Sequence, residues 1–452
     1  MFRKSYLLLF IICFSISLLA ACTKSTEIIA LPPPTITQPA HSVPPSPFAT
    51  VELPPTVTPW PTPTPLPTLA AGQAITFTSL HMVDATTGWA IEDTGHIVRT
   101  TGGGENWSNV TPPQGSYTEG GFFALDAAIA WATPRRGGCG PADCPSGEIP
   151  PPTSTTVWHT TDAGQTWQAS QPLLMNVYLD MGQDSVPYVE PIALQFIDAQ
   201  TGWLLVRVNH MMMHDHLALF KTEDGGDNWK RLVDEQHHPN SSLPCNADGL
   251  AFVDAQTGWM GGNCLHLATG ERWDTYRTID GGQTWDRFAL PAPPDLPAEF
   301  AQYNYECASG TVTRFPAGLL GAQIFCRVYV TDSDYHGFSY YYLSADAGQT
   351  WHTWSLANLP EFVNANVGWR LAVSGESQPG ELQQTLDGGL TWTAIKSVSW
   401  QQAQFDFVNE QVGWAIVTDG DVTALLHTTD GGRTWVDLHS RSGILRFALK
   451  PD

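Results

Sequence analysis

The sequence predicts an all-β fold, and three observations predict it. Gly (40), Pro (35) and Trp (18) are abundant, and charged residues make up only 14% of the 452 positions, a composition rich in turns and strand-forming aromatics. One eight-residue turn motif recurs seven times, and a second strand-turn-strand motif is interleaved with it. Repeats of this kind mean a modular array in which each unit buries its apolar face against the next.

The chain opens with Arg3 and Lys4, an apolar run from Tyr6 to Leu19, and Leu19-Ala20-Ala21-Cys22. A charged start, a short apolar run and small residues before a cysteine form a removable leader, too short for a stable membrane span. The string resembles the lipobox of bacterial lipoproteins, which implies that residues 1–21 are a signal peptide and that Cys22 carries lipid. An ordinary signal peptide or a retained anchor is the alternative. Residues 22–72 follow as a linker, with fourteen Pro between Pro32 and Pro67 and Thr in many of the gaps. Proline removes hydrogen-bond donors and favours polyproline II, so this segment is expected to be a disordered, semi-rigid stalk reaching on the order of 100 Å.

Residues 73–452 hold the repeats. The first motif reads TTGGGENW to Trp107, TTDAGQTW to Trp167, TEDGGDNW to Trp229, TIDGGQTW to Trp285, SADAGQTW to Trp351, TLDGGLTW to Trp392 and TTDGGRTW to Trp435. Asp162, Asp224, Asp280, Asp346, Asp387 and Asp430 are expected to accept backbone N–H bonds within hairpin turns, with Gly supplying positive φ. The first copy has Gly102 in the Asp position. Each Trp returns into the next strand, where burying 150–250 Å² contributes about 4 kcal/mol at most.

The second motif centres on Trp89, Trp131, Trp203, Trp259, Trp369 and Trp414, as in FVDAQTGWM. A degenerate copy, RFPAGLLGA, runs from Arg314 to Ala322. Each repeat then holds four strands: A into the Asp or Asn turn, B from the Gly-Trp, C into the Asp-Gly-Gly turn, and D from the final Trp. Spacings between the seven turn Trp are 60, 62, 56, 66, 41 and 43 residues. Seven four-stranded units near the shorter spacing predict a seven-bladed β-propeller of antiparallel blades, which hides its sheet edges by closing radially. An open solenoid or stacked sandwiches is the alternative. A strand-like run from Gly443 is a candidate for closing the ring.

These turns resemble the Asp-box, or BNR repeat, of sialidases, sortilin-type receptors and xyloglucan-degrading glycosidases. The paired motifs look most like the photosystem II assembly and stability factor family and its non-photosynthetic bacterial relatives. The resemblance implies the sialidase-like fold and not an activity, because the matching residues are turn makers. Sialidase chemistry implies an Arg triad, a Tyr nucleophile with a Glu partner, and an Arg-Ile-Pro string. The nearest string here is Arg314-Phe315-Pro316, in the wrong repeat, and Arg207, Arg277, Arg327 and Arg370 show no mark of convergence. The photosystem family implies a basic docking face, whereas this chain carries 21 − 44 = −23 charges. That charge excludes nucleic-acid binding.

In such a propeller the A–B and C–D turns share one face, so the long inserts 133–156, 208–216, 168–190 and 286–304 fall on the other. Binding residues concentrate on such loops. Six cysteines remain after Cys13 and Cys22; Cys139 with Cys144, Cys245 with Cys264, and Cys307 with Cys326 are the favoured disulfides among fifteen connectivities, with free thiols as the alternative. His210, Met212, His214 and His216 in NHMMMHDH share one face if the segment is extended, a ligand set suited to copper or zinc; a solvated hairpin tip is the plainer reading. The aromatic run DYHGFSYYY (334–342) stacks sugars or packs between blades, packing being favoured. No catalytic residues and no cofactor are assigned. The expectation is a monomeric, non-enzymatic, extracytoplasmic protein, held to the membrane by lipid alone, that binds a protein or glycan ligand; the alternative is a glycoside hydrolase with two carboxylates across the central channel.

Overall fold

The computed structural model describes residues 76–113, 115–137, 154–174, 188–211, 214–234, 243–244, 246–263, 274–294, 296–331, 334–355, 359–373 and 380–442. The leader, Cys22, the stalk, Cys139, Cys144, Cys245, Cys264 and the run after Gly443 lie outside the described residues. The fold is a seven-bladed β-propeller of four-stranded antiparallel blades. Strand A of the successive blades is Phe77–Met82, Phe122–Ala124, Tyr188–Phe196, Asn246–Phe252, Asn304–Arg314, Glu361–Phe362 and Gln402–Phe407. At five of the seven junctions the A strands of successive blades touch one another, which sets them innermost. Blade 3 gains a fifth strand of two residues, Arg136–Gly137, paired to its strand A.

Two motifs build each blade and join it to the next. In six blades an Asp or Asn after strand A turns the chain: Asp254 Oδ1 accepts from the amides of Gln256 and Thr257 at 2.7 Å, and Asp84, Asp126, Asp198, Asn364 and Asn409 repeat the pattern. Blade 5 makes this turn with a 3-10 segment, Pro316–Gly318, and its register sets Arg314 opposite Leu320 as Phe252 stands opposite Gly258. The degenerate copy therefore occupies the place read from the sequence. Gly321 falls where the other blades carry Trp, and the buried Tyr341 fills the space.

The strand B Trp serves the neighbouring blade. Trp131, Trp203 and Trp369 stack on Phe196, Phe252 and Phe407 of the following blade at centroid distances of 3.6 Å. Their indole N–H groups reach the following blade's C–D turn, donating to Gly225 O, Gly281 O and Gly431 O at 2.7–3.0 Å. Each such Phe in turn lies over the Gly before its own blade's Trp; a Cβ on Gly413 would meet the Phe407 ring at 2.3 Å. Flat rings stacked in this way fill the wedge between radiating sheets.

The same contacts close the ring. Trp414 of blade 7 donates to Gly103 O of blade 1 at 2.8 Å, and His439 Nε2 donates to Gly104 O at 2.9 Å. Asp406, on strand A of blade 7, accepts from the Met82 amide on strand A of blade 1. Gln195 makes the equivalent link inside the ring, bonding both the amide and the carbonyl of Phe252.

Candidate functional site

The face bearing the turns is an interlocked rim. Six blades tie their C–D turn to their own A–B turn by one backbone bond, as in Gly281 N to Gln256 O at 2.8 Å. Within each Asp turn a buried Thr or Ser hydroxyl accepts the second Gly amide and donates to the Asp. Thr428 receives Gly432 N and reaches Asp430 Oδ1, both at 2.9 Å. Asp430 also takes the Thr434 amide at 2.8 Å and hydroxyl at 2.7 Å. Asp162, Asp224, Asp280, Asp346 and Asp387 have the same partners, with Asn228 in the last position for Asp224. The Thr434 bonds hold Asp430 at about 2, and at Asp346 the bonds from Thr350 outweigh burial to the same end. Carboxylates used this way are ionised and engaged.

The turn Trp are also engaged. Trp107, Trp229, Trp285, Trp351 and Trp435 donate back to the second Gly carbonyl of their own turns, Trp167 donates to Val110 O, and Trp392 lies under the Arg370 guanidinium at 4.5 Å. A cleft of about 400 Å³ between the turns of blades 3 and 4 is lined by Lys221, Asp224 and Asp280. Lys221 there pairs with Glu223 at 2.8 Å and sits over the Trp203 ring.

The opposite face is uneven because blades 3 and 5 are tall. Strand B of blade 5, Leu320–Thr331, has 12 residues against five in blade 1, an excess of about 23 Å at the usual rise. Its hairpin is stapled by a Cys307–Cys326 disulfide between strands A and B. On one side, Ile324, Cys326 and Val328 join the core cluster with Tyr340 and Tyr342. Tyr340, Tyr341 and Tyr342 are 0–2% exposed, so these three pack. On the other side, Phe325 and Tyr335 stand 36% and 44% exposed, with the Arg327 guanidinium 5.7 and 5.1 Å from their ring centres. Tyr329 donates to Glu306 beside them at 2.8 Å.

In blade 3, strands B and C (Gly202–Met211 and His214–Thr222) run through the segment read as an insert loop at 208–216. Asn209 pairs with His216, His210 with Asp215 and Met211 with His214. His210 and His214 therefore stand on opposite strands of one hairpin, and Met212 lies outside the described residues. The side chains of His210 and His214 lie outside the described residues, and no group of three metal-binding side chains occurs among the described ones. Below the tip, Arg207 bonds buried Asp215 and Glu190, each at 2.6 Å. Burial works against the cation, and the two carboxylates outweigh it and raise its pKa. Arg277 lies over Trp259 and Arg370 bonds Gln383, so Arg207, Arg277, Arg327 and Arg370 each serve their own blade.

Two inner-strand acids were not singled out in the sequence. Burial pushes the Glu361 carboxyl well above its usual range, and the Asp406 charge adds to this. Burial likewise raises Asp406 to about 6, against the opposing pull of His81 and the Met82 amide. Each precedes the Phe that covers the Gly of its blade, and nothing local in EFV or DFV sets them apart.

The chain matches no protein-family model and no curated protein. Among solved structures it is similar to "YCF48 bound to D1 peptide", at 16% identity over 81% of this chain and 95% of that one, with a TM-score of 0.43. It is similar to YCF48 from Cyanidioschyzon merolae at 13% identity, 82% and 98% coverage and a TM-score of 0.41. A GH74 xyloglucanase from Xanthomonas campestris shares 12% identity over 82% of this chain, which spans 55% of the enzyme, with a TM-score of 0.46. At these values the likenesses add no residue to the site.

Proposed function

We propose that this chain is a non-enzymatic, lipid-anchored extracytoplasmic propeller that binds a protein or glycan partner through its loop-bearing face. The observation that carries this reading is the contrast between the rims. On the turn face the Asp carboxylates are satisfied internally, while the opposite face raises Phe325, Arg327 and Tyr335 on a disulfide-stapled hairpin. Exposed aromatics beside Arg on a rigid support are the composition of binding hot spots. The Cys307–Cys326 bond suits an oxidising compartment, and the lipobox-like Cys22 supplies the anchor.

The test pairs capture with localisation. Crosslinked full chain should retain a partner from the native envelope, and Arg327→Ala with Tyr335→Ala should release it while Gln283→Ala with Gln349→Ala on the turn face does not. Retention by the first pair and loss by the second would reverse the assignment of faces. Cys22→Ser should move the protein out of the membrane fraction.

The second reading, glycoside hydrolysis, draws on Glu361, whose buried carboxyl is pushed well above its usual range as a general acid's is, and on Asp406, raised to about 6, as its carboxylate partner. Release of reducing sugar that disappears in both Glu361→Gln and Asp406→Asn would favour it; the binding reading expects no release.

A further inference from the structure

Strand C of blade 5 spans Asp334–Ser344, but strand D, His352–Ser355, pairs only with Tyr340–Leu343. Asp334–Ser339 thus pair with strand B on one side, and among the described residues no strand pairs with them on the other. Asp334, Tyr335, His336 and Gly337 are exposed. An open edge of six residues leaves alternate backbone N–H and C=O groups pointing outward, and proteins normally blunt such edges with Lys, Pro or a covering loop. This one carries neither Lys nor Pro.

The side chains around the edge state what would complete it. Gly337 stands directly opposite Arg327, so no side chain separates the guanidinium from the open edge. Arg327 Nε is buried and has no hydrogen-bond partner, although the guanidinium bonds Tyr329 and strand A sets Glu306 opposite it, and Phe325 and Tyr335 flank the cation. A strand laid along the edge would place one side chain beside Gly337, where a carboxylate meets the guanidinium between two aromatic rings. Its alternate side chains would lie on the Phe325 and Tyr335 rings. A glycan has no row of amides to satisfy the exposed backbone, so the geometry favours a peptide.

Resting on the binding reading above, we propose that Asp334–Ser339 accept an extended segment of a partner protein as an added strand, with an acidic side chain of that segment paired to Arg327 across Gly337. The test exposes the full chain to an array of random nonapeptides, capped at both ends, and in parallel to a glycan array. Selected peptides should alternate apolar residues around one Asp or Glu. Amide exchange should slow at alternate positions within 334–339 on binding. Arg327→Glu should weaken the selected peptides at least about tenfold and shift selection towards Lys or Arg. Tyr335→Ala, an exposed change, should also weaken them while leaving the urea midpoint unchanged. Peptides that bind both variants as tightly as the wild type would overturn the edge assignment and leave the broader binding reading standing. Retention by glycans alone, with exchange at 334–339 unaltered, would overturn the peptide as occupant.

Discussion

The first Asp-Gly-Gly turn lacks its carboxylate, and restoring it is expected to stabilise the propeller. In blade 1, Thr100 Oγ1 accepts the amides of Gly102 and Gly104 at 3.1 Å, as the buried hydroxyls of the other turns accept theirs, but no Asp receives its proton. Gly102 is absent from the left-handed region, and a Cβ there meets nothing within 4 Å. Asn106 stands where Asn228 stands in blade 3, and Asn228 donates its amide and side chain to Asp224 at 3.0 and 2.8 Å. Gly102→Asp therefore removes unfolded-state entropy, about 0.4–1 kcal/mol, and adds up to three hydrogen bonds, discounted for exposure. The combined gain should be about 1–2 kcal/mol, read as a rise in urea midpoint at constant slope. Gly102→Ala isolates the entropic part and should give less than half of it. If Asp stabilises no more than Ala, the hydrogen-bonded corner contributes nothing to stability and its role as scaffold is wrong.

Trp414→Phe keeps a ring in the blade 7–blade 1 wedge but leaves Gly103 O without its donor; a loss of about 1–3 kcal/mol is expected by urea unfolding. Ala163 and Ala347 hold φ of 64° and 57° where the other Asp turns use Gly. Ala347→Gly should gain about 0.5–1 kcal/mol, the left-handed strain exceeding the added unfolded-state entropy. Stability should peak near pH 4. Asp346 and Asp430, lowered from 3.8 to about 2, lose their contribution as pH falls through that interval, whereas Asp406, raised from 3.8 to about 6, loses its own as pH rises through it. Asp406→Asn should make the upper limb of a urea-midpoint titration shallower, with Glu361 supplying what remains, and leave the lower limb in place.

The blade count was legible because each turn is built from residues within seven positions of one another, so its chemistry is written contiguously. Thr428, Asp430, Gly432 and Thr434 form one corner, and the same spelling elsewhere forms the same corner. The Cys307–Cys326 bond was legible for a similar reason, since both residues sit in one hairpin. Hairpin height was not. Val208–His216 read as a loop because a tall hairpin beyond the core needs no apolar alternation along its whole length, and its buried Arg207–Asp215 pair looks like surface charge. Asp406 was missed because its partner, the Met82 amide, lies 324 positions away and backbone leaves no signature in side-chain patterns.

The indole bond between blades explains how one rim can vary while the ring keeps its shape. Trp203 leaves the tall blade 3 and stacks on Phe252 at 3.6 Å and 4°. Trp369 leaves the short blade 6 and stacks on Phe407 at 3.6 Å and 2°. Strand B has 10 residues in the first case and five in the second, yet the junctions superimpose in distance and tilt. The stack and its hydrogen bond lie at the end of the strand next to the turns, so residues added at the far end alter neither. A wedge fixed from one rim leaves the other free to lengthen without strain in the ring. That asymmetry, set by where the Gly-Trp falls in each blade, places the tall hairpins and their exposed aromatics on the face opposite the Asp corners.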